Sequence, residues 1–295
     1  MAGRQVTKSS DFVVLGASGH VGSVVTRTLL NNGRSVLAVV RDAAKGEALK
    51  AAGVEIAVTD VGHPQELRNV LRRGRRAFLL NPPAPFDIDT DAEETRTALS
   101  IAEALRGSDL EKVLVESTYG AQAGEAIGDL SVLWTFERAV EATSIPVAIN
   151  RGAYYFSNLD MLVVQARAGT ITTMFPAHLS MPMVAPADLG VAAAERLAGP
   201  HDDVGIRYVE GPERYSFNDV AAAFADALGH AVAVQTIDRT DWLKGFKQAG
   251  FSDAAALSYA RMTKASIEGL EIPHDPLRGE TRLQSYISDL VKTTA

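Results

Sequence analysis

The sequence predicts a doubly wound parallel α/β sheet with a smaller, mainly helical C-terminal lobe, on three observations. Six short apolar runs occur in the first half of the chain, and none alternates apolar with polar residues. Continuous runs of that kind are strands buried on both faces. Segments of helical length and spacing separate them, which is the rhythm of a parallel sheet covered by helices on both sides. A glycine-rich turn, Gly16-Ala17-Ser18-Gly19-His20-Val21-Gly22, joins the first run to the first helix.

The elements follow in order. Phe12–Leu15 is the first strand, and Val21, Val24, Val25 and Leu29 mark one face of the helix after it. Asn31-Asn32-Gly33 stops that helix. Ser35–Val40 is the second strand and ends at Arg41-Asp42; a short helix through Leu49 closes at Gly53. Val54–Val58 is the third strand, ending at Asp60, and Pro64 opens a helix carrying Leu67, Val70 and Leu71. Ala77–Leu80 is the fourth, ending at Asn81-Pro82-Pro83, with a longer helix from about residue 91 to 105. Lys112–Val115 is the fifth, ending at Glu116-Ser117-Thr118-Tyr119, and a helix over about 130–142 leads to the sixth, Pro146–Ile149.

Beyond Arg151 the rhythm changes. Tyr154–Asn158 is aromatic and polar, and Met174–Met183 reads as loop among Pro176, Pro182 and Pro186. Asp188–Leu197 reads as helix and Gly205–Val209 as a seventh strand. Ser216 with Asp219 three residues on is a helix N-cap pattern, and Gly229 stops that helix. Helices follow over about 241–248 and 253–268, and a last one presents Leu283, Tyr286, Ile287 and Leu290 on one face, suited to a lobe core or a dimer seam. The division expected is a Rossmann-like nucleotide-binding domain over 1–151, with 184–211 returning to it, and a substrate or partner lobe from 152–183 and 212–295.

Composition removes several function classes. A net charge of −7 and a pI near 5.4 give no support to nucleic-acid or polybasic membrane binding. With no cysteine, disulfides, thiolate catalysis and cysteine metal sites are excluded. The six histidines lack metal-ligand spacing, so no metal is expected. No apolar run reaches the ~20 residues of a membrane span and the N-terminus has no signal-peptide core, so a cytoplasmic protein is expected. Arg72, Arg73, Arg75 and Arg76 surround Gly74; a phosphate or nucleic-acid patch is one reading, and a solvated helix end and turn suits the acidic chain better.

Sheets of this class bind ligands beyond the carboxyl ends of their strands, so the residues just past each strand carry the functional reading. Glycine permits a tight turn and lets a diphosphate approach without meeting a Cβ. The free amides and positive dipole end of the following helix then hold the phosphates. The spacing is G-x-x-G-x-x-G rather than G-x-G-x-x-G. At the end of the second strand, an acidic side chain serves the ribose hydroxyl of NAD and a basic one the 2′-phosphate of NADP. Arg41, with Lys45 close behind, favours NADP(H) over NAD(H); the alternative is a solvated Arg41 with Asp42 on the ribose.

The glycine turn, the Val39-Val40-Arg41-Asp42 strand end and Asp60 resemble the NmrA-like branch of the atypical short-chain dehydrogenases/reductases. So do Pro146 to Gly152, Tyr155-Phe156-Ser157-Asn158, Pro186 to Gly190 and Glu210-Gly211-Pro212. The resemblance runs across nearly the whole chain. It implies Gly16, Ala17, Ser18, Gly19, His20 and Val21 on a dinucleotide diphosphate and Arg41 on the 2′-phosphate. It implies Asp60 and Val61 near the adenine, Asn81, Pro82 and Pro83 along the ribose and diphosphate, and Tyr155, Phe156 and Asn158 near the nicotinamide. The alternative for Tyr154, Tyr155 and Phe156 is core between two lobes.

One departure shapes the expected chemistry. Short-chain dehydrogenases use a Tyr-x-x-x-Lys pair in which lysine lowers the tyrosine pKa. No lysine occurs from Val113 to Leu243, and Leu133 stands where many NmrA-like members keep one, four residues before Glu137. A carbonyl-reductase mechanism is therefore not expected. Hydride transfer from the cofactor to a quinone, azo compound or similar small acceptor needs mainly orientation, since water can protonate the product. Ser117, Tyr119 and Tyr155 are the candidate catalytic residues; backbone capping at a strand end is the alternative for the first two. The competing function is a redox sensor that binds NADP(H) without turnover and regulates a protein partner.

Overall fold

The computed structural model describes residues 8–269 and 271–294. Part of the N-terminal stretch read as lacking a signal, residues 1–7, lies outside this set. β1 (Ser10–Val14) leads through the glycine turn into α1 (His20–Asn31), followed by β2 (Val36–Val40), α2 (Ala43–Ala51) and β3 (Glu55–Val58). Next come α3 (Pro64–Leu71), β4 (Gly74–Leu79), α4 (Thr90–Leu105), β5 (Lys112–Thr118), α5 (Asp129–Glu141) and β6 (Val147–Gly152). β7 (Tyr154–Tyr155), a 3₁₀ turn over Phe156–Leu162, α6 (Val163–Arg167), β8 (Thr170–Thr173), β9 (Met181–Val184) and α7 (Pro186–Ala198) continue the chain. The remainder is β10 (Gly205–Glu210), β11 (Arg214–Tyr215), α8 (Phe217–Leu228) and β12 (Ala233–Thr236), then α9 (Trp242–Gln248), α10 (Asp253–Gly269), β13 (Leu277–Arg278) and α11 (Leu283–Thr293).

The central sheet has eight strands in the order β13-β10-β6-β5-β4-β1-β2-β3, every pair parallel. The order reverses between β1 and β4, and that switch point is where this architecture opens a crevice. Successive strand residues point to opposite faces. Val14, Phe78, Leu114 and Ala148 accordingly pack with Val21, Val25, Leu29, Leu189 and Leu197 of α1 and α7. Val13, Leu79, Val115 and Ile149 pack with Leu67, Leu71, Ile101, Phe136 and Val140 of α3, α4 and α5. Gly190 is what lets α1 and α7 touch: a Cβ there would lie 2.4 Å from the Val24 Cβ.

The arginine knot is structural. Arg73 pairs with Glu55, Arg75 with Glu111 at 3.0 Å, and Arg72 donates to the Gly107 carbonyl at 2.9 Å. Arg76 donates to the carbonyls of Leu197 and Gly199 at the end of α7, and buried Lys112 donates to those of Arg196 and Pro200. Cations thus satisfy carbonyls that a helix C-terminus leaves unpaired.

A third core, built from Phe156, Leu159, Tyr215, Phe217, Phe224, Leu283 and Ile287, sits in the lobe. The apolar face of α11 is spent there, on the first of the two uses its pattern allowed. Ser216 and Asp219 cap α8 reciprocally, and Gly229 ends it in the left-handed region at φ +75°. The lobe also holds two small sheets, β11-β9-β7 and β12-β8, and β9 begins inside the Met174–Met183 stretch that the sequence reads as loop. A run of four residues with an internal proline carries too little pattern to mark a strand without its partners.

Candidate functional site

The glycine turn stands at the carboxyl end of β1, beside the switch point. Gly16 adopts φ +62°, which only glycine takes without strain. Gly22 is required by contact, since a Cβ there would lie 2.2 Å from the Gly16 carbonyl oxygen and push α1 off the turn. Gly19 is the N-cap and offers no side chain to the helix start. The amides of Ala17 and Gly19 are taken by the carbonyls of Val39 and Gly16. Among the described residues, those of Ser18, His20 and Val21 have no backbone or side-chain acceptor. Ser18, Gly19 and His20 are exposed, so this helix start is an open anion cradle.

Arg41 is exposed at the end of β2 and has no ion-pair or hydrogen-bond partner among the described residues. Asp42 has a task already: its Oδ1 accepts from the Ala44 amide at 2.9 Å and caps α2. One strand further out, the Asp60 Oδ1 accepts from the Gly62 amide at 2.7 Å, and half-buried Val61 gives its carbonyl to Ser100. Asn81, at the end of β4, donates to the Glu94 carbonyl at 3.0 Å while its own Oδ1 is buried without a partner. Pro82 is half-buried and Pro83 exposed beside it. A dinucleotide fits these residues: unpaired amides at the start of α1, the unpartnered Asn81 Oδ1 and the unpaired Arg41 guanidinium stand at neighbouring strand ends among the described residues.

The expected catalytic side chains divide. Ser117 is turned away from the crevice, because alternation along β5 points it at α5, where its hydroxyl donates to the Glu137 Oε1 at 2.6 Å. Tyr119 is also buried, its ring edge-on to Tyr208 with centroids 5.0 Å apart and its hydroxyl without a partner. Burial, then the nearby Glu210, pushes that phenol far above its usual range. In this structure the Ser117 hydroxyl is engaged by Glu137 and the Tyr119 ring lies against Tyr208. The Phe156 side chain is fully buried between Tyr215 and Tyr286 of the lobe. Tyr155 is half-buried and Asn158 exposed.

Other residues gather here that the sequence reading passed over. Glu94 on α4 is buried and accepts from the Ala84 amide at 2.8 Å. Burial, then Asp129 and Asp91, raises Glu94 to about 8. Asp129, at the start of α5, is reached by water yet enclosed by protein; that enclosure and the Asp91 charge push it upward too. From the lobe, Ser258 donates to Asp91 at 2.6 Å and accepts from the Gly128 amide at 2.8 Å. The Ser252 amide meets the Phe86 carbonyl at 2.8 Å. Phe86 stacks on Phe251 with centroids 4.4 Å apart, and Tyr259 stands edge-on to both. The loop after β4 and the helices α9 and α10 thus form one aromatic rim. Acids scattered over α4 and α5 carry no spacing signal; only the fold brings them together.

The NmrA-like family model matches residues 8–268. An NAD(P)H azoreductase from Xenophilus azovorans is 26% identical over 220 residues, covering 75% of this chain and 74% of that protein. Quinone oxidoreductase 2 of Escherichia coli (strain K12) is 20% identical over 245 residues, covering 82% and 83%. The crystal structure of the Citrobacter sp. triphenylmethane reductase complexed with NADP(H) shares the fold at a TM-score of 0.77 and 21% identity, over 97% of this chain and 100% of that one. The chain belongs to the NmrA-like family.

Proposed function

We propose that the chain is an NAD(P)H-dependent reductase, with NADP(H) preferred, acting on a small quinone or azo acceptor. The acceptor would lie between the carboxyl ends of β4–β6 and the aromatic rim of the lobe. The observation that carries the reading is the open cradle at the start of α1 with the unpaired Arg41 guanidinium one strand away. Relatives named as azo and quinone reductases support it.

Gly16 to Val21 would hold the diphosphate and Arg41 the 2′-phosphate. Asp60 and Val61 would border the adenine, Asn81 to Pro83 the ribose and diphosphate, and Tyr155, Asn158 and the Phe156 main chain the nicotinamide. The bound cofactor supplies hydride. Leu133 is half-buried against the α5 face, in place of a lysine, so orientation by the walls and proton supply by other groups remain the protein's part. Phe86, Phe251 and Tyr259 suit a planar aromatic acceptor. The inward-turned Ser117 and Tyr119 favour a second reading, NADP(H) binding without turnover.

Purified protein is mixed with NADPH or NADH and a panel of benzoquinones, naphthoquinones and azo dyes, with calorimetry on both cofactors. Oxidation above background with at least one acceptor is expected. Binding without oxidation selects the sensor reading, and absence of binding ends both.

A further inference from the structure

β5 carries a buried carboxyl group, Glu116, near its carboxyl end. Glu116 shares the face of Leu114, two residues earlier, and pairs in register with Asn150 on β6. It is 3% exposed. Gly152 is what makes room above it: a Cβ there would stand 3.3 Å from the Glu116 Oε1 and 2.9 Å from the Tyr155 ring. Through that gap the Tyr155 hydroxyl donates to the Glu116 Oε1 at 3.3 Å, a long bond for this pair. The other oxygen, Oε2, is buried with no partner.

Among the described residues, no arginine or lysine pairs with this carboxyl. Burial holds Glu116 well above the usual carboxylate range, and the Tyr155 bond alone opposes it. Tyr155 is itself held up, by burial first and then by Glu116, with the water-reached Asp129 also within charge range. The contact that this closed-in acid makes is with the hydroxyl of Tyr155, a half-buried residue.

We propose that Tyr155 and Glu116 form a proton relay, in which Tyr155 protonates the reduced acceptor and Glu116, behind it, stores and resupplies the proton. The relay rests on the reductase reading above. An acceptor such as a quinone takes two electrons and one hydrogen as hydride and becomes an anion. The Tyr155 O–H bond breaks as an O–H bond forms on that anion. The phenolate takes the carboxyl proton of Glu116 along the same Oε1 line, and the carboxylate recovers a proton from water after product leaves. Tyr155 is the catalytic residue and Glu116 a positioning residue.

Four proteins test it: wild type, Glu116→Gln, Glu116→Asp and Tyr155→Phe, the last expected to lose kcat at least as far as Glu116→Gln. Infrared difference spectra between wild type and Glu116→Gln, without cofactor, should show a carboxylic-acid carbonyl band at pH 7 that vanishes as pH rises. NADPH affinity, read by fluorescence titration, should stay within about twofold in Glu116→Gln, while kcat with benzoquinone falls about 10²-fold and its alkaline limb disappears. Glu116→Asp should restore part of kcat. Absence of the acid band at pH 7, or a Glu116→Gln enzyme with the wild-type kcat and pH profile, overturns the relay alone. A wild-type protein inert toward every acceptor overturns the reductase reading and the relay with it.

Discussion

The guanidinium of Arg151 meets the carboxylate of Glu137 through two parallel contacts, Nε to Oε1 at 2.9 Å and Nη2 to Oε2 at 2.7 Å, beneath the α5 face of the sheet. Glu137 is fully buried and also accepts from Ser117, while Arg151 reaches the Tyr208 hydroxyl at 3.3 Å. Removing Arg151 leaves the buried Glu137 carboxylate with Ser117 and only the longer Arg138 contact at 3.5 Å. Arg151→Met should cost about 3–5 kcal/mol in urea unfolding, and Arg151→Met with Glu137→Leu should cost much less. Equal losses in single and double variants would show that the pair is not the source.

Gly22→Ala places a methyl group 2.2 Å from a backbone oxygen, where no side-chain rotation can relieve it. The turn must shift. Loss of about 1–3 kcal/mol in stability is expected, with NADPH affinity down tenfold or more by calorimetry. Wild-type affinity would remove the turn from the cofactor site.

Arg41→Ala should leave the fold intact, because the side chain is exposed and unpaired among the described residues. A charge-assisted bond to phosphate is worth about 1.5–3 kcal/mol, so NADPH affinity should fall about 10- to 100-fold. NADH affinity should change by no more than about twofold. A matching loss for both cofactors would place Arg41 away from the 2′-phosphate.

Glu94 binds its proton more tightly folded than unfolded, with the folded value raised from 4.5 to about 8. Between those values the native state holds a proton that the unfolded chain has released. Its contribution is complete below about pH 4.5 and is lost as pH rises through about 8, at up to about 1.4 kcal/mol per pH unit. Thermal midpoints should therefore fall across this window, and Glu94→Gln should flatten the fall. An identical slope in the variant would reject the assignment.

Much of the fold is legible because buried strands advertise themselves. Val36–Val40 and Val147–Ile149 are apolar on both faces, and only a sheet covered on both sides asks for that. β4 begins three residues earlier than its apolar run, at Gly74, since Arg75 and Arg76 lie at the wet amino end of the sheet and find partners there. The places of the glycine turn and of Arg41 are equally readable, being set by backbone geometry and position after a strand. Ser117 and Tyr119 are not, because one residue of strand phase decides which face a hydroxyl meets, and β5 runs three residues past its apolar core. Glu116 is hidden for the same reason: a glutamate ending a strand looks solvated until Gly152 and Tyr155, from another strand, close over it.

The eight strands are not drawn from one continuous stretch. Six of them, in the order 3-2-1-4-5-6, are present by residue 152, whereas β10 ends at Glu210 and β13 supplies only Leu277 and Arg278. Arg278 reaches the fully buried Glu210 at 2.7 Å, so the sheet edge is sealed late in the sequence. On a ribosome, the glycine turn and the first six strands are therefore made about ninety residues before α9 begins. A ligand that binds the turn could shape the nascent chain while the lobe is still being made.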